Sequence, residues 1–206
     1  MDTVFGWLAL ALWVIFYAID GLVRGYLHYR STGSTGLGRP GRTPSQFIGG
    51  AVAFVGAAVA VSGTALAASG RLTALPWLDV LGIRVAGALL AVVGIGAVFV
   101  AQSNMGPSWR ANVDHTERTE LVRTSMFAVV RNPIFTLIIL TAFGLALMTP
   151  NVVVLAGVAT IAVGINMHVR FVEEPYLRTT HGDEYFEYAA KVGRYLPRVG
   201  RMRIDR

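Results

Sequence analysis

The sequence predicts an all-α integral membrane protein with five transmembrane helices, and three observations carry that expectation. The 206 residues are 54% hydrophobic and 15% charged, whereas soluble domains run at about 45–50% apolar and roughly 25% charged. The apolar residues collect into runs that meet or approach the roughly 20 residues a bilayer helix needs, and mean hydropathy is +0.55. The basic residues gather in three polar stretches between and after those runs. High hydrophobicity and low charge exclude intrinsic disorder. The absence of cysteine excludes a disulfide scaffold, thiolate metal sites and cysteine nucleophiles.

The first run, residues 3–23, carries Asp20 and is followed by Arg24. It lacks a basic leading segment and a small-x-small cleavage site, so it reads as a span and not as a removable signal. The second and third runs are 47–68 and 80–101. The fourth, 134–148, is short and is followed by Thr149-Pro150-Asn151, a turn signal, before the fifth run at 152–169. The last two runs therefore read as a helical hairpin. Gly49, Ala53 and Ala57 recur every four residues, as do Gly87 and Ala91. Small residues at that spacing let helix backbones approach closely, although alanine and glycine are also simply abundant here.

Between the runs, residues 28–45 are rich in Gly, Arg and Pro and read as a loop. Residues 102–133 form a polar connector, and the segment from Glu173 to the C-terminus is a polar tail with aromatic residues at helical spacing. Net charge is +6 and the pI is near 10.2. In a soluble chain that balance suggests nucleic acid. Here the placement says otherwise. Every basic residue except Arg71 and Arg84 falls in the first loop or the helix end before it, in the connector, or from the end of the fifth run onward. With five spans those three stretches share one face, and the positive-inside rule puts the N-terminus outside and the C-terminus in the cytosol of a multi-pass cell-membrane protein. All basic residues but Lys191 are arginine, a skew that fits a GC-rich bacterial genome.

No GxxxxGK[ST], HExxH or GxSxG pattern is present. The four histidines are scattered, so no metal centre is expected, and the placement of the basic residues marks a membrane face and not nucleic-acid binding. Polarity is instead concentrated at the inner ends of the last two runs. Arg131-Asn132-Pro133 leads into the fourth, with proline suited to a first helical turn. This segment also reads simply as a helix-start device with a lipid-facing arginine. At the end of the fifth run, helical spacing puts Asn166, Arg170 and Glu173 on one face, and makes Arg170 and Glu174 an i,i+4 pair. Snorkelling and solvation are the bland alternative for these charges, but ionisable residues at membrane depth are functional candidates by default. Farther on, Tyr185 and Tyr188 share a helix face, as do Phe186, Ala189 and Ala190, in a segment that also suits an amphipathic helix on the inner leaflet.

Taken in order, these stretches resemble the isoprenylcysteine carboxyl methyltransferase family, membrane enzymes that use S-adenosylmethionine. The family pattern runs approximately His-x-Leu-Val, Gly-x-Tyr, Arg-His-Pro-x-Tyr, Arg-x-x-x-Glu and Gly-x-x-Tyr-x-x-Tyr. Here it reads Thr119-Glu120-Leu121-Val122, Ser125-Met126-Phe127, Arg131-Asn132-Pro133-Ile134-Phe135, Arg170 to Glu174, and Gly182 to Tyr188, within about residues 102–197. The resemblance implies two parts. Residues 1–101 are three N-terminal helices with the basic cytosolic loop 28–45. Residues 102–206 are the methyltransferase core, made of connector 102–133, hairpin 134–169 and a cofactor-covering tail 170–206. It further implies that the connector, hairpin and tail enclose a cytosolic S-adenosylmethionine cavity. Cofactor contacts would fall on Asn112, Thr119, Glu120, Leu121, Val122, Phe127, Asn132, Pro133, Ile134 and Phe135, with Glu174 facing the cofactor and Tyr185, Tyr188 and Arg194 in the tail. Arg170 would bind substrate, with Arg131 in reserve.

The sequence departs from the pattern at Thr119, Ser125, Phe127 and Asn132, where the family has histidine, glycine, tyrosine and histidine. Asparagine can replace one histidine hydrogen bond, and phenylalanine keeps the ring without the hydroxyl. Ser108-Trp109-Arg110 is a feature associated with bacterial relatives and leaves room for a distinct substrate. The expected reaction is methyl transfer to a lipophilic acceptor, with a carboxylate favoured because it needs no general base and Arg170 can grip it bidentately. A phospholipid amine and a small thiol are the alternative acceptors. A scaffold or lipid-binding protein with a decayed cofactor site, and a transporter, are the readings outside that class.

Overall fold

The computed structural model describes residues 1–36, 44–110 and 120–202, and among them it is all-helical, with one isolated parallel bridge between Val130 and Gly193. Helix α1 (Asp2–Tyr17) passes through a π-helical turn (Ala18–Val23) into α2 (Arg24–Thr32). Then come α3 (Pro44–Ala68), α4 (Leu81–Asn104), α5 (Pro133–Met148) and α6 (Val152–His168). A second π-helical turn (Val169–Glu173) carries α6 into α7 (Glu174–His181), and α8 (Asp183–Lys191) follows. Four of the resulting rods, Asp2–Thr32, Phe47–Ala68, Leu81–Asn104 and Val152–His181, are long and apolar enough to cross a membrane. The protein is thus multi-pass. Helix α5, apolar but only 16 residues, is about 24 Å long at 1.5 Å per residue, short of a hydrocarbon core of about 30 Å.

Two boundaries differ from the sequence expectation for the same reason. Residues 28–32, expected in a loop, continue the first helix, and the tail begins as a continuation of the fifth. In each case a π turn adds a residue to the winding without breaking the rod. The first rod stops at Gly33, whose φ of +74° ends the helix in the left-handed region. Residues 102–104, expected in the connector, belong to α4.

The hairpin turn forms as expected. Asn151 caps α6 by accepting from the Val154 amide at 3.0 Å, while its side-chain amide donates to the Thr149 and Gly63 carbonyls. Yet α5 and α6 take their main partners from the N-terminal half. Antiparallel α3 and α6 meet along Gly49, Ala53, Gly56, Ala60 and Gly63, spaced by four and three in alternation. A β-carbon at Gly157 would lie 2.5 Å from the Ala60 amide nitrogen. Gly87, Ala91 and Gly94 play the same part for α4 against α5, where Gly144 and Thr141 face them. Since lipid supplies no hydrophobic drive between helices, close backbone packing holds such pairs together. Gly49, Ala53, Gly87 and Ala91 act as the spacing suggested. Ala57 is displaced from the seam, because the repeat averages 3.5 residues and not four.

At the end bearing the α1 N-terminus, Arg84 is fully buried and binds Asp2, Asp79 and the Met148 carbonyl, the last at 2.9 Å. This one guanidinium ties α1, α4 and the end of α5 together.

Candidate active site

Where α4 ends and α5 begins, the protein holds a cavity of about 320 Å³. The first turn of α5 contributes Asn132, Pro133, Ile134 and Phe135, with Ile138 one turn on. Pro133 sits at the first helical position and Asn132 is the N-cap residue, as the sequence suggested. The amides of Ile134 and Phe135 fall in the first helical turn, where no intrahelical acceptor is available. The end of α4 and the short 3-10 turn Gly106–Ser108 bring Gln102, Met105 and Ser108, followed by Trp109 and Arg110. Glu120, Leu121, Val122 and Phe127 come from the connector. Glu173, Tyr176 and Leu177 come from the second π turn and α7, and Tyr185 and Tyr188 from α8.

The tail is sutured to the start of α5 through the backbone. The Arg131 amide donates to the Gly193 carbonyl at 2.8 Å and the Asn132 amide to the Arg194 carbonyl at 3.1 Å. The Asn132 side chain and the Thr136 hydroxyl add bonds to the carbonyls of Arg194 and Tyr195. Tyr185, Tyr188 and Ala189 form the inward face of α8, with Leu121, Leu177, Val192 and Met202 packed against them. Phe186, expected beside Ala189, is exposed instead. The Tyr188 hydroxyl donates to the Phe127 carbonyl at 2.6 Å. Burial pushes the Tyr188 phenol up to about 12, and burial with the nearby Glu174 carboxylate raises Tyr185 further.

Beneath this wall lies a buried charge cluster. Glu174 is 2% exposed and accepts from Arg131 Nη2 at 2.9 Å and from Arg194 Nε and Nη2 at 2.7 and 2.9 Å. Its bonds hold the Arg194 guanidinium above its ordinary pKa. Arg131 Nη1 and Nη2 also donate to the carbonyls of Ala189, Val192 and Gly200. Arg131 and Glu174 therefore clasp the tail to α5 and α7.

A second polar group reaches the cavity from behind. The buried stripe of the first rod is Gly6, Ala9, Trp13 and Phe16, then Asp20, Arg24 and His28. Arg24 donates to the carbonyls of Gln102 and Gly106 at 3.1 and 3.3 Å and lies 4.9 Å from the centre of the Trp109 ring. His28 meets Trp109 edge-on and Arg110 at 3.2 Å. Both oxygens of Asp20 are buried without a hydrogen-bond partner among the described residues.

Glu120, Leu121, Val122, Phe127, Asn132, Pro133, Ile134, Phe135, Tyr185 and Tyr188 are thus brought together around one cavity, and Arg131 joins them. Asn112 and Thr119 lie outside the described residues. Glu174 and Arg194 stand behind the wall and do not line it. Arg170 is exposed, away from the cavity, and the expected Arg170–Glu174 pair does not form. The π turn is the reason: its wider winding swings Arg170 outward, while Glu174 turns inward to Arg131 and Arg194. Sequence reasoning missed Gln102, Met105, Tyr176 and the Asp20–Arg24–His28 stripe. The spacing of that stripe from Phe16 onward was its available signal. Among the described residues no group of acids and histidines could hold a metal ion.

A multi-pass bundle with a largely apolar cavity walled in part by its own tail defines a membrane protein with a candidate binding site at one end. Its family is shown by comparison. Residues 83–184, from α4 into α8, match the family described as Phospholipid methyltransferase. The chain belongs to this family of integral membrane methyltransferases, related to the isoprenylcysteine carboxyl methyltransferases. No curated protein matches the chain. It is therefore a membrane methyltransferase, and the matched region contains most of the cavity lining.

Proposed function

We propose that this methyltransferase moves the methyl group of S-adenosylmethionine to the headgroup amine of a membrane phospholipid. The observation that carries this reading is the cavity's charge. Carboxylates Glu120 and Glu173 line it, while the guanidiniums of Arg131 and Arg194 are committed to Glu174 and tail carbonyls. Arg170, the intended carboxylate ligand, is outside. That arrangement suits a cationic acceptor better than an anionic one. Arg110, also on the lining, fits the adjoining lipid phosphate.

The cavity suits the cofactor. Trp109, Phe127 and Tyr176 offer aromatic faces for an adenine ring or a sulfonium. The first-turn amides of α5 suit a carboxylate. Glu120 accepts hydroxyl or ammonium donors. When bound, S-adenosylmethionine supplies an electrophilic methyl group on a positively charged sulfur. The chain's own residues hold the acceptor nitrogen in line, exclude water behind Tyr185 and Tyr188, and relieve the ammonium of its proton.

The short α5 supports access from lipid. Because it falls several ångströms short of the hydrocarbon thickness, an α5 anchored at its far end would set its first turn, with the cavity around it, just inside the hydrocarbon boundary, where lipid reaches it from the side. The placement of the arginines supports a cytosolic cavity and C-terminus with the N-terminus outside. On the opposite end Arg84 is neutralised by Asp2 and Asp79, leaving little positive charge there.

The test is transfer of labelled methyl from S-adenosylmethionine to vesicles of phosphatidylethanolamine or to vesicles carrying a free fatty or isoprenoid acid. Label in the amine lipid supports the reading, and Arg170→Ala should then retain most of the activity. Label only in the acid, abolished by Arg170→Ala, overturns it in favour of carboxyl methylation.

A further inference from the structure

Beyond α8 the tail ends in a run, residues 196–201, in which every side chain is exposed. Leu196 and Val199, at 57% and 60% exposure, stand there beside Arg198 and Arg201. Neither guanidinium has a hydrogen-bond or ion-pair partner among the described residues. The run is a fixed turn and not a loose end. The Val199 amide donates to the Leu196 carbonyl at 3.1 Å, and the Arg194 amide to the Val199 carbonyl at 2.8 Å. Gly193 lies so close beneath that a β-carbon on it would overlap the Leu196 and Val199 carbonyls. Pro197 takes the second place of the turn, which suits its fixed φ. Arg198 takes the third, with φ +66°. That left-handed region favours glycine, as used at Gly200. An arginine held there against its backbone preference points to a side chain kept for something outside the turn.

The fold sets this turn at the edge of the bundle's membrane core. Tyr195 packs against the core of the transmembrane helices, and its carbonyl accepts from the hydroxyl of Thr136, in the first turn of α5, at 3.0 Å. Leu196 therefore leaves that core at the level of the first turn of α5. Helix α8 is different. Its exposed side carries Asp183, Glu184 and Glu187 beside Phe186, and an anionic surface repels those carboxylates. The tail thus has one basic, apolar edge next to α5 and one acidic face on α8. The turn is also tied to the cavity. The Gly200 carbonyl accepts from Arg131 Nη2 at 3.1 Å, and the carbonyls of Gly193 and Arg194 accept from the amides of Arg131 and Asn132. Arg131 and Asn132 line the cavity, so whatever holds the turn also holds that wall.

We propose that residues 196–201 are a membrane wedge for an anionic leaflet: Leu196 and Val199 enter the boundary of the acyl chains, Arg198 and Arg201 bind lipid phosphates, and this contact keeps the tail closed over the cavity. Apolar side chains interleaved with arginines are the composition that lies stably in a lipid interface. Each arginine gains from the negative surface potential only while the turn is docked. Release of the tail would withdraw both arginines and both apolar side chains from lipid, so anionic lipid favours the closed form over the open one. The inference does not depend on which acceptor the cavity methylates.

The chain has no cysteine, so single nitroxide labels can be placed through Leu196→Cys, Val199→Cys and Glu187→Cys in the full chain. All three positions are exposed, and a label there displaces no packing. The labelled proteins are studied in nanodiscs of phosphatidylcholine with and without phosphatidylglycerol. In the anionic discs, labels at 196 and 199 should collide with oxygen and be shielded from a water-soluble nickel chelate. The label at 187 should do the reverse. Hydrogen exchange across residues 194–199 of the unlabelled protein should be about fivefold slower in anionic discs for each arginine engaged. Replacing both, in Arg198→Gln with Arg201→Gln, should remove that difference. Labels at 196 and 199 as open to nickel as the label at 187 overturn the proposal. So does an exchange rate that is equal in the two discs, or one that keeps its lipid dependence without the arginines. Equal protection from inorganic phosphate added to neutral discs puts a soluble anion on the arginines and overturns it as well.

Discussion

Glu174→Gln tests the clasp under the cavity wall. The substitution keeps size and removes the charge that faces Arg131 and Arg194, whose contacts to the carboxylate are 2.7 to 2.9 Å. Side-chain exposure is 3% for Glu174, 2% for Arg131 and 18% for Arg194, so solvent screens the pair weakly. Breaking a buried ion pair from one side costs about 3–5 kcal/mol. The stranded guanidiniums can recover hydration only by releasing the tail, since Arg131 is what binds the Ala189, Val192 and Gly200 carbonyls. Lowering the free energy of tail release by about 3 kcal/mol raises the released population about 10²-fold, at 1.4 kcal/mol per decade. Hydrogen exchange read by mass spectrometry should show residues 185–194 exchanging about 10²-fold faster while α3 and α6 remain protected. Cofactor affinity should fall less, because it scales with the fraction of molecules still closed. Wild-type exchange across the tail of Glu174→Gln would refute the clasp.

Other outcomes follow from separate parts of the structure. Ser125 has φ +55° and its hydroxyl accepts from Asn104 at 2.9 Å. Thermal unfolding should therefore rank Ser125→Gly at or above wild type and Ser125→Ala below it, because alanine keeps the left-handed strain of roughly 1–2 kcal/mol and loses the bond. Gly157→Val should cost about 1–3 kcal/mol or more by forcing α6 off α3, whereas Gly50→Val, with nothing near its β-carbon, should leave the melting temperature unchanged. Arg24→Ala should weaken cofactor affinity about tenfold, or about 1.4 kcal/mol, by freeing the Trp109 side of the cavity; an unchanged titration would count against that wall. The bond from Tyr188 to Phe127 contributes fully below the unfolded tyrosine pKa of about 10 and is lost as pH rises through the folded value of about 12. Stability should fall across that window, and less steeply in Tyr188→Phe.

Much of the bundle was legible because lipid imposes simple demands. Apolar runs became helices, Asn132-Pro133 began α5, and Asn151 capped α6, since each feature depends on residues within one or two turns. The Ser125 departure was legible too, and its positive φ explains why glycine suits that position in the resembling family. What escaped depended on winding and distance. The two π turns changed which residues share a face, so that Asp20, Arg24 and His28 align behind the cavity while Arg170 and Glu174 separate. Glu174's partners, Arg131 and Arg194, lie 43 and 20 residues away, and no local pattern records that meeting. Glu173 was visible in sequence as a charge beside Glu174, but not as part of a cavity wall.

The central claim is that the methyl group goes to a headgroup nitrogen. The most direct measurement incubates the protein with trideuteromethyl-labelled S-adenosylmethionine and a mixed membrane lipid extract, so that amines, acids and thiols compete. Tandem mass spectrometry then locates the label. The account predicts a trideuteromethyl group on the headgroup nitrogen of phospholipids. Label found as a methyl ester or thioether, with headgroups unlabelled, would contradict it.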